Sequence, residues 1–234
     1  MSTGYELDAW ERAYRDFETP AEEIRKFERR LRALEVDRLD KSSRILEICC
    51  GRGNALIAWR RLGFHRAIGL DLSHALLRLS TSGAPRIVGD VRAMPVAAAS
   101  QDIVAVHGGL HHLPSLADLD ATLAEVRRVI KPDGHVVIVE PWRTPFLSAV
   151  HALSRQRPIR RLSKKMDAFE RMYEIEHPTY DAWLGQPDAI LAIVRRHVEP
   201  IVLRRRMGKI MVLARRARAA AGRNDAHQAG TDAR

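Results

Sequence analysis

The sequence predicts an α/β fold: a Rossmann-like sheet of seven mostly parallel strands with helices on both faces. From residue 44 onward, short β-branched segments alternate with amphipathic segments of helical length, an order typical of parallel sheets. A glycine-containing turn follows the first strand, and an acidic residue ends each of the next two. The 234 residues, 46% of them hydrophobic, suit one domain with a full core and a small addition.

Two helices are predicted ahead of the sheet, so residues 1–43 are expected to form an N-terminal helical cap. Residues 6–17 place apolar side chains at helical spacing. Residues 19–22, Thr-Pro-Ala-Glu, provide an N-cap, a first-turn proline and a capping-box glutamate for the second helix. The apolar stripe that follows predicts that this helix runs to about Leu39.

The main domain is predicted at residues 44–215. Its parallel strands are expected at residues 44–48, 67–70, 86–88, 102–107 and 135–139. Its helices are expected at residues 54–62, 73–80 and 115–130. An antiparallel pair, residues 198–204 and 209–214, is expected to close the sheet.

Two segments fall outside this regular alternation. Residues 142–197 contain four prolines among helix-like stretches and are too long for a plain crossover, which predicts a helical insertion that covers the substrate side as a lid. Residues 216–234 are polar, rich in alanine and arginine and without periodicity, which predicts a disordered basic tail.

The charge is distributed unevenly along the chain. Residues 1–142 carry 20 basic and 20 acidic side chains, whereas residues 143–234 carry 19 and 9 and so account for the net charge of +10. A basic region can attract nucleic acid, an anionic membrane surface or an acidic substrate, and it can equally be a solvated face. Residues 145–165, apolar and then basic, are compatible with peripheral membrane contact or with an amphipathic helix packed on its own domain.

A cytoplasmic location is expected. The sequence has no run of eighteen or more apolar residues and no secretory signal pattern at its start. Its two cysteines, Cys49 and Cys50, are adjacent, and a disulfide between neighbouring residues is strained and rare. Adjacent free thiols are typical of a reducing compartment.

The turn after the first strand, residues 47–53, favours a cationic nucleoside ligand without phosphates. Gly51 and Gly53 let a ligand approach the backbone. A dinucleotide fingerprint would need a third glycine where Leu56 stands, and a P-loop would need a Gly-Lys-Ser/Thr ending. Glu47 would repel a diphosphate but attract an ammonium group. S-adenosylmethionine meets both conditions.

Two further carboxylates support a nucleoside site. Asp71 ends the second strand, where a carboxylate can accept hydrogen bonds from both ribose hydroxyls. Asp90 follows the third strand, where the adenine amino group would lie. Each acid could instead cap the next helix, but three such acids on three successive strands favour a ligand site.

Residues 44–141 resemble the class I S-adenosylmethionine-dependent methyltransferases, in the group that includes quinone C-methyltransferases and many small-molecule methyltransferases. The resemblance rests on the segments ILEICCGRG, IGLDLS, IVGDVRAMPV, DIVAVHGGLHHLP and LAEVRRVIKPDGHVVIVEP. It implies that Glu47, Gly51 and Gly53 hold the methionine part of the cofactor. Asp71 and Leu72 would hold the ribose and adenine. Asp90 and Val91 would flank the adenine, and His107 would line the floor of the site. Many relatives have glycine where Cys49 stands, and the quinone group tolerates cysteine there.

The candidates for acceptor chemistry lie after the fourth strand and in the insertion. His111 could act as a general base, because its pKa is near neutrality, or it could pack and cap the next helix. No residue is assigned to a metal ion. Aromatic side chains of the insertion could line an acceptor pocket or form the lid's own core: Trp142, His151, Phe169, Tyr173, His177, Tyr180 and Trp183.

The leading hypothesis is methyl transfer from S-adenosylmethionine to a small-molecule or lipid-like acceptor, with S-adenosylhomocysteine as the product. One alternative is an RNA or DNA methyltransferase that uses the basic C-terminal third. The fourth strand lacks an Asn/Asp-Pro-Pro-Tyr/Phe motif, and the basic third lacks interleaved stacking aromatics. Another alternative is a non-catalytic partner subunit, which the intact glycine and acidic positions disfavour. The acceptor atom and the oligomeric state stay open.

Overall fold

The computed structural model describes residues 4–217, with the backbone alone described for residues 4–8, 10 and 11. Its sheet has seven strands in the order β3-β2-β1-β4-β5-β7-β6. The strands are β1 Arg44–Ile48, β2 Arg66–Asp71, β3 Arg86–Val88, β4 Gln101–His107, β5 Ile130–Pro141, β6 Val198–Arg206 and β7 Lys209–Arg216. Strands β1 to β5 pair in parallel, and β7 runs antiparallel to β5 and β6. The predicted fold class is confirmed.

Nine α-helices surround the sheet within the described part of the chain. They are α1 Gly4–Phe17, α2 Pro20–Ala33, α3 Asn54–Arg61, α4 His74–Arg78, α5 Leu116–Val129, α6 Pro145–Ser154, α7 Arg157–Leu162, α8 Lys164–Gly185 and α9 Pro187–His197. Two 3₁₀ turns lie at Val36–Arg38 and at Leu110–His112; we call the second the histidine turn. Among residues 4–217, no helix is both long and apolar enough to cross a membrane.

Helix α2 begins as the sequence predicts and ends earlier. The Thr19 hydroxyl accepts a hydrogen bond from the Glu22 backbone N–H, and the Glu22 carboxylate accepts one from the Thr19 N–H, which completes the capping box. The expected end at Leu39 is wrong, because Glu35 adopts the left-handed region with φ 61°. This reversal lets Leu34 and Val36, both fully buried, point into the core.

Two apolar layers cover the two faces of the sheet. On one face, Leu46 and Ile48 of β1 join a cluster with α5, α8 and α9. On the other face, Ile45 joins a cluster with α2 and α3. Alternate β1 side chains therefore point to opposite faces, as they must in a strand buried on both sides.

The four helices of residues 142–197 have two different surroundings. Helix α9 packs beside α5 against the sheet through Ile190 and Val194, so it is a core helix that leads into β6. Helices α6 and α7 pack on α8, and α8 contacts α1 and the histidine turn. The Trp183 indole N–H donates to the Pro141 carbonyl at 2.8 Å, which ties α8 to the end of β5. The predicted tail lies outside the described residues from residue 218 onward.

Candidate functional site

The carboxyl ends of the parallel strands form the edge where ligands bind in open α/β sheets. We divide this edge into two parts. The turn face consists of residues 47–53, Asp71, Leu72, Asp90, Val91 and His107. The lid face consists of the histidine turn, Glu140 and helix α8. All predicted cofactor-site residues lie on the turn face, whereas His111 lies on the lid face.

The two glycines of the turn serve different purposes. Gly51 and Gly53 have left-handed φ values of 50° and 77°. A Cβ at Gly53 would come within 2.5 Å of the Ser80 hydroxyl, whereas a Cβ at Gly51 would meet no described atom within 4 Å. Gly53 is therefore required for packing, and Gly51 borders open space into which a ligand can fit.

Cys49 also adopts a left-handed conformation, with φ 52°. A Cβ at Gly109 would lie 2.3 Å from the Cys49 Cβ and 2.6 Å from its sulfur. The bare backbone of Gly109 therefore leaves room for the Cys49 side chain. Burial raises the pKa of the Cys49 thiol, with Asp71 as the next cause, so this sulfur stays protonated and unreactive.

Asp71 closes the turn from the second strand. Its carboxylate accepts hydrogen bonds from the backbone N–H groups of Gly51 and Ser73, both at 2.8 Å. Next to it, Leu72 is 70% exposed, which is unusual for a leucine that follows a buried strand. A carboxylate beside an exposed apolar plate matches the ribose and the adenine of a nucleoside.

Asp90 and Val91 lie farther along the same edge. The Asp90 carboxylate receives hydrogen bonds from the Arg92 guanidinium, which also contacts Asp118 at 2.7 Å. The Arg92 side chain lowers the pKa of Asp90, so this acid is ionised and already paired. Val91 is buried in the core. Asp90 is thus held by a side-chain cation, whereas Asp71 is held by backbone N–H groups.

Glu47 is sealed inside the protein, although the resemblance implies contact with a ligand. Its side chain is 1% exposed. One carboxylate oxygen accepts from the Trp59 indole N–H, and the other lies against His107 Nδ1, both at 2.8 Å. The Phe27 ring of α2 covers His107 with 4.9 Å between ring centroids. Glu47 therefore acts beneath the turn rather than on its surface.

A polar network that the sequence analysis missed joins α1, α2 and α3 beside the turn. The buried Glu23 carboxylate accepts from the Tyr14 hydroxyl and from the Asn54 amide, the latter at 2.6 Å. The Arg52 guanidinium lies over the Tyr14 ring at 5.7 Å. One signal was present: Glu23 lies four residues before Phe27, on the apolar stripe of α2, where an acid needs a partner.

The lid face is organised by Glu140 at the end of β5. Its fully buried carboxylate accepts from the backbone N–H groups of Gly109 and Leu110 at 2.9 and 2.8 Å, and its second oxygen lies 2.8 Å from His111 Nδ1. Burial opposes ionisation of Glu140, but the hydrogen bond and charge of His111 outweigh it and lower the pKa. Glu140 thus fixes the backbone and the imidazole of the histidine turn.

His111 keeps one ring nitrogen for chemistry. Its Nδ1 is engaged by Glu140, and its Nε2 lies 3.8 Å from a Glu176 oxygen of α8. Burial opposes the charged imidazolium, but the hydrogen bond to Glu140 and the negative charges of Glu140 and Glu176 outweigh burial and raise the pKa of His111. Any proton transfer by His111 therefore runs through Nε2.

The aromatic side chains within residues 142–197 lie in two different environments. Trp142 and Trp183 are buried in the main core. His151 lies among the rings of Phe169, Tyr173 and Tyr180, with centroid distances of 5.1, 5.0 and 5.7 Å. Both ring nitrogens of His151 are buried without a hydrogen-bond partner among the described residues. This cluster forms a small aromatic core inside the lid.

A cleft opens between the histidine turn and α8. Its lining is mixed: apolar side chains, among them Leu110, Leu113 and Trp183, alternate with the polar side chains of His111, Ser115, Thr179 and Gln186. The buried His111 ring packs edge-on against Tyr180 at 5.8 Å between centroids. The cleft therefore places an oriented imidazole beside both apolar and polar side chains.

Known proteins provide two kinds of comparison. A family model described as a methyltransferase domain matches residues 46–138. The chain is 33% identical over 110 residues to dTDP-3-amino-3,6-dideoxy-alpha-D-glucopyranose N,N-dimethyltransferase of Streptomyces fradiae, a match that covers 45% of this chain and 42% of that enzyme. It is 27% identical over 183 residues to demethylmenaquinone methyltransferase of Streptomyces avermitilis, covering 74% of this chain and 76% of that enzyme.

Solved structures share the fold. A protein from Pyrococcus horikoshii OT3 superposes with a TM-score of 0.64 at 15% identity, covering 88% of this chain and 97% of that one. The chain spans about two fifths of the length of the Streptomyces fradiae enzyme. The family model, over residues 46–138, includes the whole turn face and the histidine turn but neither Glu140 nor α8.

Proposed function

We propose that this chain, a class I S-adenosylmethionine-dependent methyltransferase, transfers a methyl group to a small organic acceptor. One observation carries the proposal. Gly51 borders open space at the carboxyl edge of the sheet, directly beside the Asp71 carboxylate and the exposed Leu72. A nucleoside with an amino-acid tail fits such a place, because its ribose needs an acceptor and its base needs an apolar surface.

The turn face would bind the cofactor through its own residues. Asp71 would accept from the ribose hydroxyls, Leu72 and Val91 would flank the adenine, and Gly51 would allow the methionine part to approach. When bound, S-adenosylmethionine supplies a methyl group on a positively charged sulfur. Asp90 would contribute at the adenine only if its pairing with Arg92 rearranged.

The buried Glu47–His107 pair would support that site from below. Its carboxylate lies under the turn, where a negative charge favours a cationic ligand even without direct contact. Helix α2 covers the pair through Phe27, and the Tyr14–Glu23–Asn54 network closes the side. Enclosure of this kind excludes water and strengthens the electrostatic attraction.

The acceptor would enter the cleft between the histidine turn and α8. The apolar side chains of Leu110, Leu113 and Leu116 support a ring-shaped or lipid-like molecule, and His111 would orient the acceptor beside them. Two relatives support a small acceptor: by their names, one acts on a demethylmenaquinone and the other on an amino sugar nucleotide. The adjacent free thiols Cys49 and Cys50 support a reducing, cytoplasmic location.

The test is a transfer assay with methyl-labelled S-adenosylmethionine. The protein is incubated with a reduced naphthoquinone, an amino sugar nucleotide, total RNA and a small-molecule cell extract, and products are identified by mass. We expect label in a small organic product, and loss of that product with Asp71→Ala. Label found in RNA alone, or no label in any product from a protein that binds the cofactor, would overturn the proposal.

A further inference from the structure

Three metal-ligating groups meet on the lid face. The Nε2 atoms of His111 and His112 and a carboxylate oxygen of Glu176 all lie within 4.8 Å of one another. The histidines come from the histidine turn, and the glutamate comes from α8, so the chain brings them together from 64 residues apart or more. This set is a product of tertiary structure.

The separations suit a shared ion better than direct hydrogen bonds. Glu176 Oε2 lies 3.8 Å from His111 Nε2, and Glu176 Oε1 lies 3.9 Å from His112 Nε2. These distances are too long for hydrogen bonds. Two ligands bound to one tetrahedral zinc at about 2.0–2.1 Å are about 3.3 Å apart, so small side-chain shifts would bring this set into place.

A second observation points to the same role. Glu140 engages His111 Nδ1 at 2.8 Å and is itself fixed by the backbone N–H groups of Gly109 and Leu110. A carboxylate on the far nitrogen of a histidine is the usual outer partner of a metal-bound imidazole, because it fixes the ring and its tautomer. The two histidine rings lie side by side, with centroids 4.0 Å apart at 36°.

We propose that His111, His112 and Glu176 form a binding site for one divalent transition-metal ion, with Zn²⁺ as the expected ion. Two imidazoles and one carboxylate are a ligand set that zinc and iron favour, and three protein ligands leave a position open. The ion would join the lid to the sheet. Given the proposed function, the open position would hold an acceptor hydroxyl, whose pKa the ion lowers so that the proton leaves to water.

The experiment is calorimetric titration of Zn²⁺ into the full chain, purified without a histidine tag and freed of metal with a chelator. We expect one ion per chain. His112→Ala and Glu176→Gln should each weaken binding at least tenfold, because each removes one of three ligands. The half-exposed position of His112 makes its replacement compatible with folding, which circular dichroism checks. The control is His65→Ala, an exposed histidine outside the cluster, with unchanged binding.

Titration with Co²⁺ identifies the ligands independently. Nitrogen and oxygen ligands give weak visible bands, whereas thiolates give intense charge-transfer absorption. Absence of binding, binding that survives both variants, or thiolate absorption that disappears with Cys50→Ser would overturn the proposal. Binding of S-adenosylmethionine is measured separately on the same metal-free protein. Failure of the metal site therefore leaves the cofactor result standing, and failure of cofactor binding leaves the metal result standing.

Discussion

Glu47 pairs with His107 on the turn face, and Glu140 pairs with His111 on the lid face, each through Nδ1 at 2.8 Å. The second ring nitrogen distinguishes the two pairs. His107 Nε2 is buried without a hydrogen-bond partner among the described residues, whereas Nε2 of His111 faces the Glu176 carboxylate. A glutamate–histidine pair is thus a sealed support on the turn face. On the lid face a pair of the same residue types orients a histidine whose second nitrogen can still bind a partner.

The two faces also differ in how they are held together. On the turn face, Asp71 binds backbone N–H groups of a glycine turn and of its own helix start. On the lid face, side chains from β5, the histidine turn and α8 meet. A site built from backbone tolerates change in its surroundings, whereas a site built from distant side chains depends on the placement of each helix.

The largest expected effect comes from removing the carboxylates of the two pairs. Glu140→Ala leaves two backbone N–H groups and one imidazole without their acceptor, and Glu47→Ala leaves one indole and one imidazole. Removing one partner of a buried charged pair costs about 3–5 kcal/mol. Urea unfolding should show both losses, with Glu140→Ala the larger.

The control for that comparison is Glu174→Ala. Its carboxylate is exposed and, within the described part of the chain, contacts Arg160 at 3.5 Å, so its loss should cost under about 0.5 kcal/mol. A Glu140 variant less destabilised than the Glu47 variant would show that the lid face is not organised by its carboxylate.

An intermediate effect should separate the two glycines of the turn. Gly53→Ala combines a left-handed backbone with a collision at the hydrogen-bonded Ser80–Ser82 pair, and we expect a loss of about 2–3 kcal/mol. Gly51→Ala meets open space and should cost only about 1 kcal/mol.

Of the two glycine variants, Gly51→Ala should lose less stability but should lose cofactor affinity directly. The Gly51→Ala protein should fold and yet bind S-adenosylmethionine at least tenfold more weakly in calorimetry, because its methyl group occupies ligand space. Unchanged affinity in that variant would mean that the open space at Gly51 is not where the ligand lies.

The smallest effect is a pH dependence of stability on the lid face, measured without metal. The hydrogen bond to Glu140 and the charges of Glu140 and Glu176 raise the pKa of His111 above its ordinary 6.5 despite burial. Burial lowers the pKa of the neighbouring His112 to about 4 and that of Lys209, which interacts with the same two carboxylates, to about 7. A raised pKa in the folded state stabilises most fully below 6.5, and the stabilisation is lost as pH rises through the folded value. Lys209, with its lowered pKa, contributes stability that rises with pH and opposes this trend, so the measurement is made on Lys209→Met. Urea midpoints of that variant should decline above pH 6.5, and less steeply when Glu176→Gln is added.

The opposite outcome would assign a neutral His111 to the folded protein. Stability of the Lys209→Met protein that rises with pH through the same range would mean that burial of His111 outweighs both carboxylates. In that case the lid-face pair would resemble the turn-face pair, and the contrast between them would fail.

Local features of the fold could be predicted from the sequence. The strands after residue 44 follow from the alternation of apolar and helical segments, and the antiparallel β6–β7 pair follows from two apolar runs around a short turn. Gly51, Gly53 and Asp71 lie next to one another because consecutive parallel strands end at one edge. The end of α2 could not be predicted, because Glu35 reverses the chain only to bury its two neighbours.

The sequence predicts those parts of the candidate site whose residues lie close together along the chain. Glu47 has the expected position at the end of β1, but its burial under Phe27 depends on how α2 packs. Glu176 approaches the histidine turn from a helix in the insertion, and no pattern near residue 176 indicates that contact. Predictions about distant helices need tertiary information that a single sequence does not contain.

Calorimetric titration of S-adenosylmethionine into the native chain and into Asp71→Ala tests the central claim, that the turn face is a cofactor site, most directly. We predict one ligand per native chain and at least a hundredfold weaker binding to the variant, since about 3 kcal/mol of charge-assisted hydrogen bonding is lost. Asp133→Ala, at an exposed position in β5, should bind as the native chain does. No binding to the native chain, or equal binding to Asp71→Ala, would contradict the account.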